Sequence, residues 1–485
     1  MTTVLLGIDV GTTHSKVLVT TTDGREIAVR SIRTEWTSRP GGLADTDGIE
    51  LADAVIALAA QTVRAAAEQL GPVRVGGLAV TGMAEAGVIL DNGGVPHSPV
   101  IAWFDPRGRD QLAALPADLA AKFPAITGLP LGPQVTLSKL LWLKQSGVDL
   151  TAGQWLHVPE LIVHRLGGRA AAETSLLART GLFDQGTGAL WPTMLDLLGI
   201  EQTFFPDQVA AGAPLGTAGG PHCPAELRGA TLAVAGHDHP VAAVGCGAVA
   251  PGEVFDSFGT AQVYLRTLDE PVDPQRRARL VAAGVNAVRH AVPGRWHLLG
   301  GTKAGLLMRR TLALLGVTND AGRAALDAAA VAAFDVDITG LVEVSGAAND
   351  DGTLRITAVS DSVTPALLWL ATVRHGVAEA DRLLQAMTAE FGPAPAAVVA
   401  GGWTAMTSVR LAKQQALPQV RFTDRPQAGA FGAAAFASFA HRSTENPVSA
   451  PTSGNRRDAT AGPAQEDLDR FTRPAGPDPI EEKTA

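Results

Sequence analysis

Asp238 stands where an apolar run, residues 233–237, meets a proline-started helix in AVAGHDHPVAAVG. Open α/β sheets bind ligands at such strand-to-helix switches, and a carboxylate there can take a proton from a bound hydroxyl. Capping is the competing reading, because Asp is favoured just ahead of a helix and Pro240 suits its first turn. A second group of residues, Asp9, Gly11, Thr12, Thr13 and Lys16, is close-set in VLLGIDVGTTHSKVLVT. Gly11 lets an anion approach bare backbone, the main-chain N–H groups and the Thr12 and Thr13 hydroxyls can donate to phosphate oxygens, and Lys16 adds positive charge. Asp9 at the strand end suits Mg2+, which keeps several waters and shares one or two carboxylates with phosphates. An ordinary hairpin would use the same turn residues.

A second Gly-Thr turn, Gly259-Thr260, lies in GEVFDSFGTAQVYLRT, again between apolar runs. Near the end of the apolar sequence, AVVAGGWTAM supplies a strand and a Gly401-Gly402 turn followed by Trp403. Bare backbone there can admit a nucleotide's base and sugar. Between the first turn and Asp238, the stretch VTGMAEAGVILDNGGVPHSPVIAWFDPRGRD gathers Met83, Glu85, Trp103 and Asp105 at strand ends. Carboxylates accept pairs of hydroxyl hydrogen bonds and a Trp face covers C–H surface. Glu85 reads equally well as a solvated loop acid, and Asp105 ahead of Pro106 as a cap. His237 and His239 flank Asp238 without the further ligands of a zinc pattern, so hydrogen bonding is preferred to metal binding for both, with His237 in reach of substrate.

The elements that must position these residues read as β-α-β units. Leu51, Val55, Leu58 and Val63 mark one face of a helix running towards Leu70, followed by a strand over 75–80. The two Gly-Thr hairpins each open a long α/β half, which implies duplicated domains. The expected boundaries are 1–245 and 246–440, with a hinge near 248–252. From 441 to 485 the chain is rich in Pro, Ser, Thr, Gly and charge and is expected to form no fold of its own.

Composition narrows the function classes. The chain has 485 residues, 46% of them hydrophobic, and a net charge of −9, which suits two or three domains with sizeable cores and disfavours nucleic-acid binding. Cys223 and Cys246, the only cysteines, are too few for a disulfide framework. No signal-peptide pattern or membrane-length apolar run is visible, so a cytoplasmic protein without a membrane partner is expected. The GCGAVA string (245–250) closes a helix rather than following a strand, and is not a dinucleotide site.

Taken together, these blocks resemble the FGGY family of carbohydrate kinases, within the sugar kinase, heat-shock chaperone and actin superfamily. GIDVGTTHSKVLV and EVFDSFGTAQVYL are similar to its two phosphate motifs, GHDHPVAAVGCG to its catalytic-Asp segment, and VVAGGWTAM with RPQAGAFGAAAFA to its adenosine motif. LSKLLWLKQSG and the stretch from HVPELIVHRLGG to LLARTGLFDQGTGAL resemble the blocks between them. The resemblance implies two RNase H-like (actin-like ATPase) α/β domains facing across a nucleotide-binding cleft. It implies an ATP-dependent transfer to a hydroxyl of a small sugar, polyol or sugar acid, with Asp238 as general base and Mg2+ held by Asp9 and Asp238. Gly11, Thr12, Thr13, Lys16, Gly259, Thr260, Gly401, Gly402 and Trp403 would then bind ATP, and Met83, Glu85, Trp103, Asp105, His237 and Asp238 the acceptor. A homodimer is compatible with this reading. The Met83-Ala84-Glu85 and Gly236-His237-Asp238-His239 segments depart from commoner family patterns, so no particular sugar is named. A chaperone-like ATPase and a catalytically silent sugar-binding regulator of the same superfold are the alternatives. No second DLGGGT-like motif favours the first, and retention of both Gly-Thr turns and both aspartates argues against the second.

Overall fold

Apolar, β-branched runs on either side of each Gly-Thr turn form strands, as their composition favours. The computed structural model describes residues 1–348, 352–445 and 462–472. In chain order, the strands that position the site are β1 (Thr2–Val10), β2 (His14–Thr21), β3 (Glu26–Arg33), β4 (Val73–Gly82), β5 (Thr231–His237), β6 (Val254–Phe258), β7 (Gln262–Leu268), β8 (Asn286–Arg289), β9 (Trp296–Thr302), β10 (Ala397–Ala400) and β11 (Val420–Phe422). The helices are α1 (Gly48–Leu70), α2 (Asp238–Gly245), α3 (Ala304–Leu314), α4 (Pro365–Phe391), α5 (Thr407–Ala416), α6 (Ala428–Glu445) and α7 (Gln465–Thr472).

Contacts divide the chain into two units. The first takes Met1–Gly247, Val288–Arg295 and the described residues from Gln427 on; the second takes Ala248–Ala287 and Trp296–Pro426. This division is not the linear one expected from sequence. Helix α6, read there as part of the second half, packs on β1, β4 and α2 of the first unit. Its Ala- and Gly-rich faces explain the placement, since small side chains let a helix lie close against a sheet and a neighbouring helix. Of the 441–485 stretch, 446–461 and 473–485 lie outside the described residues. Within it α7 forms by packing on α6 rather than as a fold of its own: it buries Leu468 and Phe471, and the Phe471 ring lies 5.2 Å from that of Phe431 on α6.

In the first unit the sheet order is β5-β4-β1-β2-β3, with β1 antiparallel to β2 and parallel to β4. Helix α1 starts where Asp47 accepts hydrogen bonds from the Ile49 and Glu50 N–H groups (2.7 and 3.0 Å), the usual role of an N-cap carboxylate. Its Leu51, Val55, Leu58 and Val63 face is buried as the periodicity predicts, each such side chain contributing about 1.5–3 kcal/mol. The second unit is built on the order β8-β9-β7-β6-β10-β11. There Lys413 on α5 and Asp256 on β6, both fully buried, pair at 2.7 Å. Among the described residues no helix is long and apolar enough to cross a membrane.

Candidate active site

Three strand ends of the first unit carry the site in one row. Asp9 on β1 pairs in register with Thr81 on β4, and Thr81 with Gly236 on β5. The Thr81 hydroxyl donates to the Gly236 carbonyl (2.7 Å). The register slips at Gly236, a bulge that re-aims the residues after it. Gly236 has φ of 103°, and a Cβ there would lie 2.4 Å from Ser175 Oγ. Only glycine fits, and the bulge delivers His237 and Asp238 to the start of α2.

Asp238 Oδ1 accepts the His239 N–H (2.7 Å) and lies 3.0 Å from His237 Nε2. Burial opposes ionisation of this carboxyl, but the His239 and His237 interactions outweigh it and hold it below the usual carboxylate range. The imidazoles and Asp238 place their ligating atoms within 4.8 Å of one another. Asp238 Oδ1 is nevertheless already engaged by the His239 N–H and by His237 Nε2.

Asp9 behaves in the opposite way. Burial pushes its carboxyl up to about 7, the nearby Asp238 charge adds to the rise, and Lys16 opposes it. Its Oδ1 is buried and meets no donor. Gly429, at the start of α6, lies so close that a Cβ there would sit 2.3 Å from Asp9 Oδ2. An orphaned carboxylate oxygen beside a second carboxylate is the donor set that a hard divalent cation fits.

The hairpin turn is braced from behind. Thr34 Oγ1 donates to the Gly11 carbonyl and Trp36 Nε1 to the Thr12 carbonyl (both 2.8 Å), while the Thr34 N–H donates to the Thr13 carbonyl (2.9 Å). Because C=O and N–H point oppositely across a trans peptide, holding the Gly11 and Thr12 carbonyls inward turns the Thr12 and Thr13 N–H groups the other way. Lys16 pairs with Asp9 across the hairpin.

The expected acceptor residues divide. Glu85 is buried and receives Arg179 Nε (2.8 Å) and Nη2 (2.6 Å), and both charges act on His239. Arg179 Nη1 is buried and unmatched. Sequence reasoning did not single out Arg179; its signal was a lone charge inside SLLARTGLF. Trp103 donates its indole N–H to Thr12 Oγ1 (2.8 Å). Met83 is part of the apolar core. Asp105 must be reassigned. It is fully buried, takes the Ala44 N–H (2.6 Å) and the Arg107 N–H (2.8 Å), and is clamped by the Arg107 guanidinium at 2.6–3.0 Å. With its lone pairs filled by protein donors, it braces the loop and has none left for a ligand.

In the second unit, the Gly259-Thr260 turn links antiparallel β6 and β7, and β10 runs parallel to β6 into the Gly401-Gly402 turn. Trp403 Nε1 donates to the Gly259 carbonyl (3.0 Å), and its ring packs 6.0 Å from Trp369. Trp403 thus fastens one turn to the other. Gly305 on α3 completes this cluster. A Cβ on it would fall 1.9 Å from the Gly259 carbonyl oxygen and 2.8 Å from Trp403 Nε1. Sequence reasoning did not single out Gly305.

Two α/β units, one with carboxylates at its strand ends and each with a Gly-Thr hairpin, define a protein of the sugar-kinase and actin-like ATPase fold class. Residues 4–245 match the family model described as FGGY family of carbohydrate kinases, N-terminal domain, and the chain belongs to that family. It is 29% identical over 220 residues to L-fuculokinase of Escherichia coli K12, covering 44% of this chain and 46% of that protein. It is 27% identical over 290 residues to glycerol kinase of Ectopseudomonas mendocina, covering 57% of each. The matched region therefore spans about half the length of these curated relatives. The crystal structure of Plasmodium falciparum glycerol kinase with ADP superposes with a TM-score of 0.80 at 17% identity, covering 91% of this chain and 90% of that one.

Proposed function

We propose that this protein is an ATP-dependent carbohydrate kinase that transfers the γ-phosphoryl group to a hydroxyl of a small sugar, polyol or sugar acid. The observation that carries the reading is the co-occurrence of an ionised Asp238 and an orphaned Asp9 oxygen at strand ends of one sheet, with only β4 between them. One carboxylate can receive a proton, and the other offers an oxygen that no protein donor occupies. Membership of the FGGY family supports the same class.

In this mechanism the acceptor hydroxyl lies against Asp238, with Glu85 and Arg179 fixing its orientation. The hydroxyl oxygen attacks the γ-phosphorus, the bond to the ADP oxygen breaks, and the hydroxyl proton passes to Asp238. Phosphoryl transfer has a loose transition state in which the proton leaves late, so the base must be ionised and well placed more than strongly basic. The Thr12 and Thr13 N–H groups and Lys16 hold phosphate oxygens. The glycine turns at 259 and 401 offer bare backbone to the nucleotide. Asp9, with Asp238 beside it, would hold Mg2+ through water, and the ion when bound neutralises charge on the phosphates. Screening ketoses, aldoses, polyols and sugar acids for stimulated ADP release tests the proposal. An acceptor that raises ADP release well above the acceptor-free rate is expected; no stimulation by any class would refute it.

A further inference from the structure

A cavity of about 210 Å³ in the first unit uses none of the residues assigned above to catalysis or to the binding of ATP or acceptor. Glu173, Gln208, Arg289, His290, Gly294 and Arg295 contribute to its wall. Arg289 is fixed by Nη2 donating to the Gln185 carbonyl (2.9 Å) and by its own N–H donating to Gln185 Oε1 (3.0 Å). Arg295 Nη2 donates to Gln465 Oε1 on α7 (2.8 Å). Burial holds His290 down at about 3, so it is neutral and adds no charge. Two permanent cations therefore face one carboxyl, in a chain whose net charge is −9.

Glu173 is the unusual member. It is 1% exposed; its Oε2 accepts from Ser175 Oγ (2.6 Å) and the Leu176 N–H (3.0 Å), while its Oε1 is buried and meets no donor. Burial pushes this carboxyl up to about 7 against the lowering effect of the Ser175 and Leu176 bonds, so near neutrality it can donate a hydrogen bond as well as accept one. A planar guanidinium fork matches the oxygens of a phosphoryl or carboxylate group. The wall also has a route to the base segment. Ser175 Oγ, which donates to Glu173, accepts the His237 N–H at 2.9 Å.

We propose that this cavity binds a small oxyanion, a phosphoryl or carboxylate group gripped by Arg289 and Arg295, and that Glu173 and Ser175 connect its occupancy to His237. The site goes beyond the kinase reading, and its binding is measured without turnover, so the two can fail separately. The test is isothermal titration calorimetry of the full chain with inorganic phosphate and, separately, with acetate, at constant ionic strength. Binding of at least one of the two is expected. Phosphate alone would mark a phosphoryl ligand and acetate alone a carboxylate ligand. Arg289→Met should weaken that binding at least tenfold, and Lys16→Met, in the hairpin, should leave it. Should Arg289→Met not fold, Arg295→Gln, at the half-buried wall position, should give a similar loss. Failure of both anions to bind, or binding that the arginine variants keep undiminished, would overturn the proposal.

Discussion

The Trp103 indole N–H donates to Thr12 Oγ1 at 2.8 Å, so the segment proposed to hold the acceptor is tied to the turn proposed to hold phosphate. The bond fixes the indole plane and leaves the Thr12 hydroxyl hydrogen free to donate elsewhere. Trp103→Phe keeps an aromatic face and removes the bond, whose net value is about 1 kcal/mol. The expected outcome is a rise of roughly fivefold in KM for both acceptor and ATP. Steady-state kinetics with each substrate varied in turn would check it; a rise confined to the acceptor would show that the tie does not reach the phosphate turn.

Glu85 faces the acceptor side in this account, and its buried partner is Arg179. Glu85→Gln should raise the KM for acceptor more than that for ATP. Because Arg179 loses a charged acceptor, stability should fall by about 1–3 kcal/mol, read by urea unfolding. Equal KM changes for the two substrates would remove Glu85 from the acceptor side.

Glu173 gives the pH dependence a sign. Its folded-state carboxyl is raised to about 7 from an ordinary 4.5, so the folded chain holds this proton more tightly than the unfolded chain. Its contribution is fully present below the ordinary value and is lost as pH rises through about 7. The melting temperature of wild type relative to Glu173→Gln should therefore fall between pH 4.5 and 7.5. A difference that stays flat across this window would contradict the assignment.

In the second unit, the Lys413–Asp256 pair has no solvent to replace a lost partner. Lys413→Met should destabilise by about 3–5 kcal/mol, because it strands a buried carboxylate. Adding Asp256→Asn should recover part of the loss. Differential scanning calorimetry of the two variants measures the effect, and a mild cost for the single variant would show that Asp256 is neutral in the folded chain.

Local chemistry made the strand-turn-strand hairpins and the amphipathic helix α1 readable from sequence, since alternation, turn glycines and helical periodicity are encoded within short windows. Asp9 and Asp238 were identifiable for the same reason, each lying at the end of an apolar run. Arg179, Gly305 and Gly429 were not, because their importance arises only when distant segments meet: Arg179 on Glu85, Gly305 on Gly259, Gly429 on Asp9. Asp105 could be read as a local brace as well as a ligand, and its bonds from Arg107 are local; only the Ala44 N–H that completes them comes from far away in sequence. Helix α6 follows the second unit in the chain but packs with the first, which no linear boundary could express.

Asp9 and Asp238 together bear the central claim, and Asp238 can be tested alone. Once an acceptor is found, Asp238→Ala should be assayed for acceptor-dependent ADP release beside calorimetric binding of MgATP. Loss of at least a thousandfold in turnover is expected, on the order of the contribution of a general base, with nucleotide affinity within a fewfold of wild type. Turnover near the wild-type rate would contradict the account.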